Sequence, residues 1–213
     1  MKIVLSNTFY PPDIAGGAEV IASGLARYLQ ARGHELSVLT VNRDRNTVRD
    51  HVEGIEVTRL GVRNFYWHHP RIRRHPLLRL MWHYRDAYNR SMESSIGRFL
   101  DEKQPDLLFS HNLPGLSAAL WKAADQRRIP VVQVLHDYYS LCPRSTLFHR
   151  GTRCVSSCGT CGYLRRNHRD YSAQVDTVVG VSRAVLQQHL DRGVFAAAAE
   201  QCVIHNAKQI GQQ

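Results

Sequence analysis

Short apolar runs alternate with stretches of helical spacing along most of this chain. Ile3, Val4 and Leu5 form the first run and predict a buried strand. A loop with two prolines and then Gly16-Gly17 follows. Beyond it Ala18, Val20, Ile21, Leu25, Tyr28 and Leu29 recur at helical spacing, with Gly33 placed to end the helix. Residues 35–42 predict the next strand, 42–50 a charged loop, and Glu53-Gly54 a turn into a strand through Ile55, Val57 and Leu60. From Pro76 to about Lys103 an apolar stripe (Leu77, Leu80, Met81, Tyr84, Tyr88, Met92, Ile96, Phe99, Leu100) predicts one long helix. Strands are predicted over 106–112 and 131–137, with a helix over 115–128 between them. Then come a basic helix over 162–174, a strand over 176–182, a helix N-capped by Ser182 and ending near Gly193, and a short strand over 201–206.

Alternation of this kind predicts an α/β fold, a single Rossmann-like, doubly wound and mostly parallel sheet with helices on both faces. A chain of 213 residues suits one such domain. Ligands of these sheets bind beyond the carboxyl ends of the strands. Polar groups gather at the predicted ends: Gly16-Gly17, Ser110-His111-Asn112, His136-Asp137 and Ser182-Arg183. The Gly-Gly loop reads in two ways. It is a phosphate cradle at a helix N-terminus, or only a tight strand-to-helix connection. The dinucleotide pattern G-x-G-x-x-G is absent.

Charge adds a partner. The formal net charge is +10, which favours an acidic one: nucleic acid, an anionic membrane face or a phosphorylated ligand. Arg59, Arg63, Arg71, Arg73, Arg74, Arg79, Arg85 and Arg90 face only Asp86, with Phe65, Tyr66, Trp67, Trp82, Tyr84 and Tyr88 interleaved. This stretch reads as a surface helix for an anionic membrane, or as a solvated helix whose aromatics fill the core. Nucleic acid is the weaker partner, because no recognised binding motif appears. No apolar run approaches the ~20 residues of a membrane helix, and no signal peptide opens the sequence. The expected location is cytoplasmic, with peripheral association at the inner membrane face.

Four of the five cysteines fall in one segment, residues 138–162, as Cys142-x11-Cys154-x3-Cys158-x2-Cys161. Four thiolates so spaced fit a structural tetrahedral zinc, with His149 as an alternative ligand. Free or redox-active thiols and an iron–sulfur cluster remain open alternatives.

The segments KIVLSNTFYPPDIAGGAE, PDLLFSHN, PVVQVLHDYYSLCPR, DTVVGVSRAV and VIHNA together resemble the N-terminal half of family-4 retaining glycosyltransferases of GT-B architecture. The cysteine insert resembles a subset of that family. The resemblance implies an acceptor-side domain over 1–206 and a frayed tail or linker start over 207–213. The resemblance further implies a donor-binding domain with paired glutamates, expected to lie outside these residues. It also implies a nucleotide-sugar donor, a sugar or lipid-linked acceptor and no catalytic metal. The expected pathway is synthesis of cell-surface polysaccharide or glycolipid, with little activity from this chain alone. By the same resemblance His136 and Asp137 are the catalytic candidates. Gly16 and Gly17 lie by the donor diphosphate or acceptor, and His111, Asn112, Ser182 and Arg183 are the remaining substrate-binding candidates. The competing readings are a structural histidine closing a strand end, for His136 and His111 alike, and a non-catalytic regulatory half-enzyme for the whole chain.

Overall fold

The computed structural model describes residues 1–69, 72 and 74–206. Its elements run β1 (Lys2–Ser6), α1 (Gly17–Ala31), β2 (Glu35–Val41), β3 (Val48–Val52), β4 (Ile55–Leu60), α2 (Pro76–Ala87), α3 (Arg90–Lys103), β5 (Leu107–Ser110), α4 (Ala119–Asp125), β6 (Val131–Leu135), β7 (Phe148–His149), β8 (Thr152–Arg153), α5 (Gly159–Tyr171), β9 (Thr177–Gly180), α6 (Arg183–Leu190) and β10 (Glu200–Val203). One sheet takes the order β10-β9-β6-β5-β1-β2-β4-β3, and β7-β8 form a separate small hairpin. Within the large sheet every pairing is parallel except the β3–β4 hairpin. The chain winds outward from β1 through β2 to β4, then returns across β1 to continue through β5 and β6. The reversal between β1 and β5 is the switch point at which such sheets bind ligands. The predicted α/β, mostly parallel architecture is the observed one.

Alternation along β1 explains the two cores. Ile3 and Leu5 face one side and pack with Ala22 and Ala26 of α1. Val4 faces the other and joins the cluster containing Ile96 and Leu100 of α3 and Leu120 and Trp121 of α4. On the β9 side, a Cβ on Gly180 would stand 2.6 Å from the Cβ of Leu186, so α6 sits down on this strand only because glycine is there.

Several predicted elements change. The long helix over 76–103 is two helices, α2 and α3. Asn89 divides them. Its Oδ1 accepts the Met92 N–H at 3.1 Å, capping α3, and its side-chain amide donates to the Arg63 carbonyl at 3.1 Å. The stripe divides too. Met92, Ile96, Phe99 and Leu100 are buried, whereas Leu77, Leu80, Met81 and Tyr84 are exposed. The predicted loop 42–50 gives way to β3, an edge strand paired with β4 around the Glu53-Gly54 turn. The helix predicted over 115–128 shortens to α4, because Gly115 and Ser117 both adopt positive φ before it. The basic helix begins earlier than predicted, at Gly159, so Cys161 lies in its first turn. Arg71, Arg73 and the predicted tail 207–213 lie outside the described residues.

The metal expectation is corrected. Among the described residues no group of three or more His, Cys, Asp or Glu side chains is arranged to hold a metal ion. A tetrahedral zinc or an iron–sulfur cluster needs four donors converging on one centre. Cys142 is instead buried, Cys158 is exposed at the N-cap of α5, and Cys154 and Cys161 are half-buried, all as free thiols. His149, the alternative ligand, is exposed on β7 and meets Arg144 at 2.7 Å. Neither zinc nor an iron–sulfur centre is supported at these residues.

Candidate active site

Beyond the carboxyl ends of β1, β5 and β6 lies an open cleft of about 640 Å³. Its lining includes Thr8, Gly16, Gly17, Glu19, His68, Arg79, Asn112, His136, Asp137, Tyr139 and Arg144. The adjacent strand ends are tied together by Asn7, a fully buried residue whose Oδ1 accepts the N–H groups of Thr8 and Asn112, each at 3.1 Å. That bond fixes the loop after β5 against the loop after β1.

His111 and His136 leave neighbouring strands and meet, Nδ1 of His111 standing 2.8 Å from Nε2 of His136. Their rings stack, with centroids 5.1 Å apart. His111 is buried beneath its partner, 2% exposed, so it reaches the open cleft only through His136. Burial holds both rings neutral. His136 is pushed down to about 4, and His111 to about 3 by burial and then by its neighbour. The other nitrogen of His111, Nε2, has no partner among the described residues. An orphaned buried N–H is rarer than an orphaned acceptor, so the shared proton belongs on His111 Nδ1 and Nε2 of His136 accepts it. A neutral His136 then carries its own proton on Nδ1. The ring is a fixed hydrogen-bonding group at the cleft wall, not a cation. Nitrogen-15 NMR checks the assignment: a protonated His136 Nδ1 is expected at pH 7, and His111→Phe is expected to release the preference.

Asp137 follows on the same strand end. Its Oδ1 accepts the Tyr139 N–H at 2.7 Å, and burial raises its carboxyl above the ordinary range. His68, which also lines the cleft, is pushed down to about 4 by burial and by Arg79. The cleft thus sets neutral imidazoles beside two arginines, Arg79 and Arg144, with Glu19 and Asp137 as its carboxylates.

The Gly-Gly loop departs from a simple phosphate cradle. The Gly16 N–H donates to Oε2 of Glu19 at 2.7 Å, so a buried carboxylate already occupies this helix N-terminus. Gly16 is extended, with φ −163°, and a Cβ on Gly17 meets nothing within 4 Å. The two glycines therefore leave open space at the cleft rather than satisfying a strained backbone. Gly17→Ala is expected to leave the urea midpoint of unfolding unchanged, whereas a large residue there fills the cleft mouth.

Of the remaining sequence candidates, Asn112 lines the cleft, and Ser182 and Arg183 do not. The Ser182 hydroxyl is engaged in capping α6 by accepting the Val185 N–H at 3.2 Å. Residues that sequence reasoning did not single out complete the site. Glu19 was legible as the fourth residue of a G-x-x-E cap pattern. Behind the cleft, fully buried Asp86 accepts the Gly115 N–H at 3.0 Å and the Tyr139 hydroxyl, and Arg165 stacks over the Tyr139 ring at 4.0 Å. His83 meets the Arg165 guanidinium at 3.3 Å. No local pattern announced that network.

Among the described residues no helix is long and apolar enough to cross a membrane. The chain is 27% identical over 208 residues to a 42.6 kDa protein in the cps region of Klebsiella pneumoniae, covering 98% of this chain and 56% of that one. Its fold is similar to sucrose-phosphate synthase from Thermosynechococcus elongatus (TM-score 0.60, 15% identity, 96% of this chain and 47% of that one). It is also similar to the catalytic domain of starch synthase IV from Arabidopsis thaliana bound to ADP and acarbose (TM-score 0.57, 12% identity, 96% and 51%). UDP-GlcNAc 2-epimerase from Neisseria meningitidis bound to UDP-GlcNAc shares the fold as well (TM-score 0.51, 15% identity, 96% and 45%). At such identities what is shared is the fold, and one fold serves several chemistries. The chain spans about half the length of these relatives. The glycosyl transferase 4-like domain matches residues 16–207, nearly the whole length, and the chain belongs to that family.

Proposed function

We propose that residues 1–206 form the acceptor-side domain of a retaining, nucleotide-sugar-dependent glycosyltransferase acting in cell-surface polysaccharide or glycolipid synthesis. The observation that carries this reading is the cleft at the β1–β5 switch point, open on one side, lined by Asp137 and by His136, which buried His111 backs. A donor-binding domain, on the same polypeptide or a separate one, supplies the facing wall. Transfer from a nucleoside diphosphate places negative charge on the leaving phosphate while the glycosyl carbon becomes cationic. Arg79 and Arg144 offset charge on the phosphate side. Neutral His136 hydrogen-bonds a sugar or acceptor hydroxyl without adding positive charge beside the cationic carbon, and Asp137 orients that wall. No catalytic metal is needed in this scheme.

The test is sugar transfer by the polypeptide together with its donor-binding domain, over a panel of nucleotide-sugars. His136→Ala is expected to slow transfer by roughly 10²- to 10⁴-fold with an unchanged urea midpoint. Unchanged transfer would remove the reading. Acceptor presentation draws on a second feature. Between α2 and α5 runs a groove of about 1000 Å³ lined by Leu80, Met81, Tyr84 and Tyr163 and edged by Arg85, Arg90 and Arg166. Exposed apolar side chains among arginines suit the surface of an anionic bilayer, which supports a lipid-linked acceptor and a peripheral place at the cytoplasmic membrane face. Vesicles of phosphatidylglycerol are expected to sediment the chain, those of phosphatidylcholine are not, and Arg85→Glu weakens the difference.

A further inference from the structure

A second cavity, of about 580 Å³, opens between α5, the end of α6 and the loop at Val155, and shares no lining residue with the cleft. Arg165, Arg166, Arg169 and Arg192 line it, against one carboxylate, Asp191. Arg165 is offset by Asp86. The other three are not matched in this way. Arg166 and Arg192 form no ion pair among the described residues. Arg169 meets only its neighbour Asp170, at 3.6 Å, with both side chains exposed, which is worth little. Asp191 forms no ion pair either and accepts from Nε2 of Gln187 at 2.7 Å.

Arg192 shows how the charge is held. Its terminal nitrogens donate to Oε1 of Gln188 at 2.8 Å and to the Gln188 and Val155 carbonyls at 3.0 and 2.9 Å. All of these acceptors are neutral, so the side chain is fixed without its charge being met. Its Nε is buried and has no partner among the described residues. The bond to Val155 also pins the loop that carries Ser156 and Ser157, two exposed residues whose hydroxyls can donate at the cavity. Fixed guanidinium groups beside hydroxyl donors suit phosphate oxygens. With Asp191 set against three unmatched arginines, two positive charges remain. That balance selects a ligand with two or more negative charges.

We propose that this cavity is a second anion site, separate from the cleft, that takes a small phosphorylated molecule from solution, a diphosphate or a phosphate ester. Arg169 and Arg192 hold the phosphate oxygens from α5 and α6, and Ser156 and Ser157 close over them from the loop.

Hydrogen exchange of the full chain at pH 7, read by peptide mass spectrometry, tests the site with pyrophosphate as the probe. Sodium chloride at equal ionic strength is the reference, so that screening is the same in both. Exchange over residues 154–158 is expected to slow about tenfold when pyrophosphate stands at roughly ten times its dissociation constant. Arg169→Glu with Ser157→Asp is expected to abolish the slowing with an unchanged urea midpoint. Both positions are exposed, and both lie outside the groove between α2 and α5. Arg144→Glu, in the cleft, is expected to leave the slowing in place. No slowing in the wild-type chain overturns the proposal. So do slowing that survives the double variant, slowing lost with Arg144→Glu, and slowing by phosphatidylglycerol vesicles but not by pyrophosphate, which would assign the cavity to a lipid headgroup.

Discussion

Acidification from pH 7 to about pH 5 is expected to take away most of the stability of this fold. Four histidines are buried outright, His83, His111, His168 and His189. Burial is the first cause that lowers each of them, with His111 pushed to about 3 and His189 to about 4. A group whose folded value is depressed binds its proton more readily in the unfolded chain. Its contribution is whole above the ordinary histidine value of ~6.5 and is lost as pH falls below it. Each costs about 2 kcal/mol by pH 5, and His68 and His136, each pushed down to about 4, add to the loss. Asp86 works the other way. Its carboxyl is raised to about 6 by burial, so the folded chain takes up that proton first and regains a part of it. The net loss, on the order of several kcal/mol, is comparable with a whole domain's stability. Urea titrations followed by tryptophan fluorescence at the two pH values measure it, and an unchanged midpoint would refute the account. His168 isolates one contribution. Neither of its ring nitrogens has a hydrogen-bond partner among the described residues, and its ring meets Trp121 and Tyr139 edge-on. His168→Phe keeps the ring, is expected to add about 1 kcal/mol at pH 7, and reduces the acid loss by one histidine's share, about 2 kcal/mol.

Asp86→Ala is expected to cost about 3–5 kcal/mol at pH 7. The carboxylate is wholly buried and serves the Gly115 N–H and the Tyr139 hydroxyl. It also offsets the charge of Arg165, which is 3% exposed and forms no ion pair among the described residues. Removing it strands a buried cation and two donors. Asp86→Asn keeps part of the hydrogen bonding and costs less. Arg165→Met in the Asp86→Ala background is expected to recover part of the loss, because the stranded charge leaves with it. Additive effects in that double-mutant cycle would show that the two residues do not compensate each other. Function follows the same path. Tyr139 lines the cleft beside His136 and Asp137, so its anchoring to Asp86 holds the cleft floor in shape.

How much of this was legible beforehand differs from residue to residue. The apolar runs of β1, β2, β5, β6 and β9 were plain because strands buried on both faces carry no alternation to misread. β3 was missed because Val48-Arg-Asp-His-Val52 is an edge strand, solvated and mostly polar, which looks like a loop. The break at Asn89 was hidden by an apolar stripe that keeps its period across it, although the stripe on α2 faces outward and that on α3 inward. Zinc was inferred from spacing, but spacing does not fix direction. With Cys161 in the first turn of α5 and Cys142 in the core, the described residues hold no group of three or more donors arranged for a metal ion, and zinc is unsupported.

The sequence by itself determined the alternating elements and the polar residues that end each strand, because periodicity and turn chemistry act over a few neighbouring residues. It thereby determined the fold class, and Gly16, Gly17, Asn112, His136 and Asp137 as groups on one edge of the sheet. The tertiary structure alone decided which of those ends are neighbours. Strand order is set by long-range burial on both faces, and it puts β5 between β1 and β6 while leaving Ser182 and Arg183 off the cleft. That order stacks His111 under His136 and brings Asp86, Tyr139 and Arg165 together from three distant segments. A local pattern carries no record of such pairings, because the energy that makes them exists only once the sheet has closed its two cores.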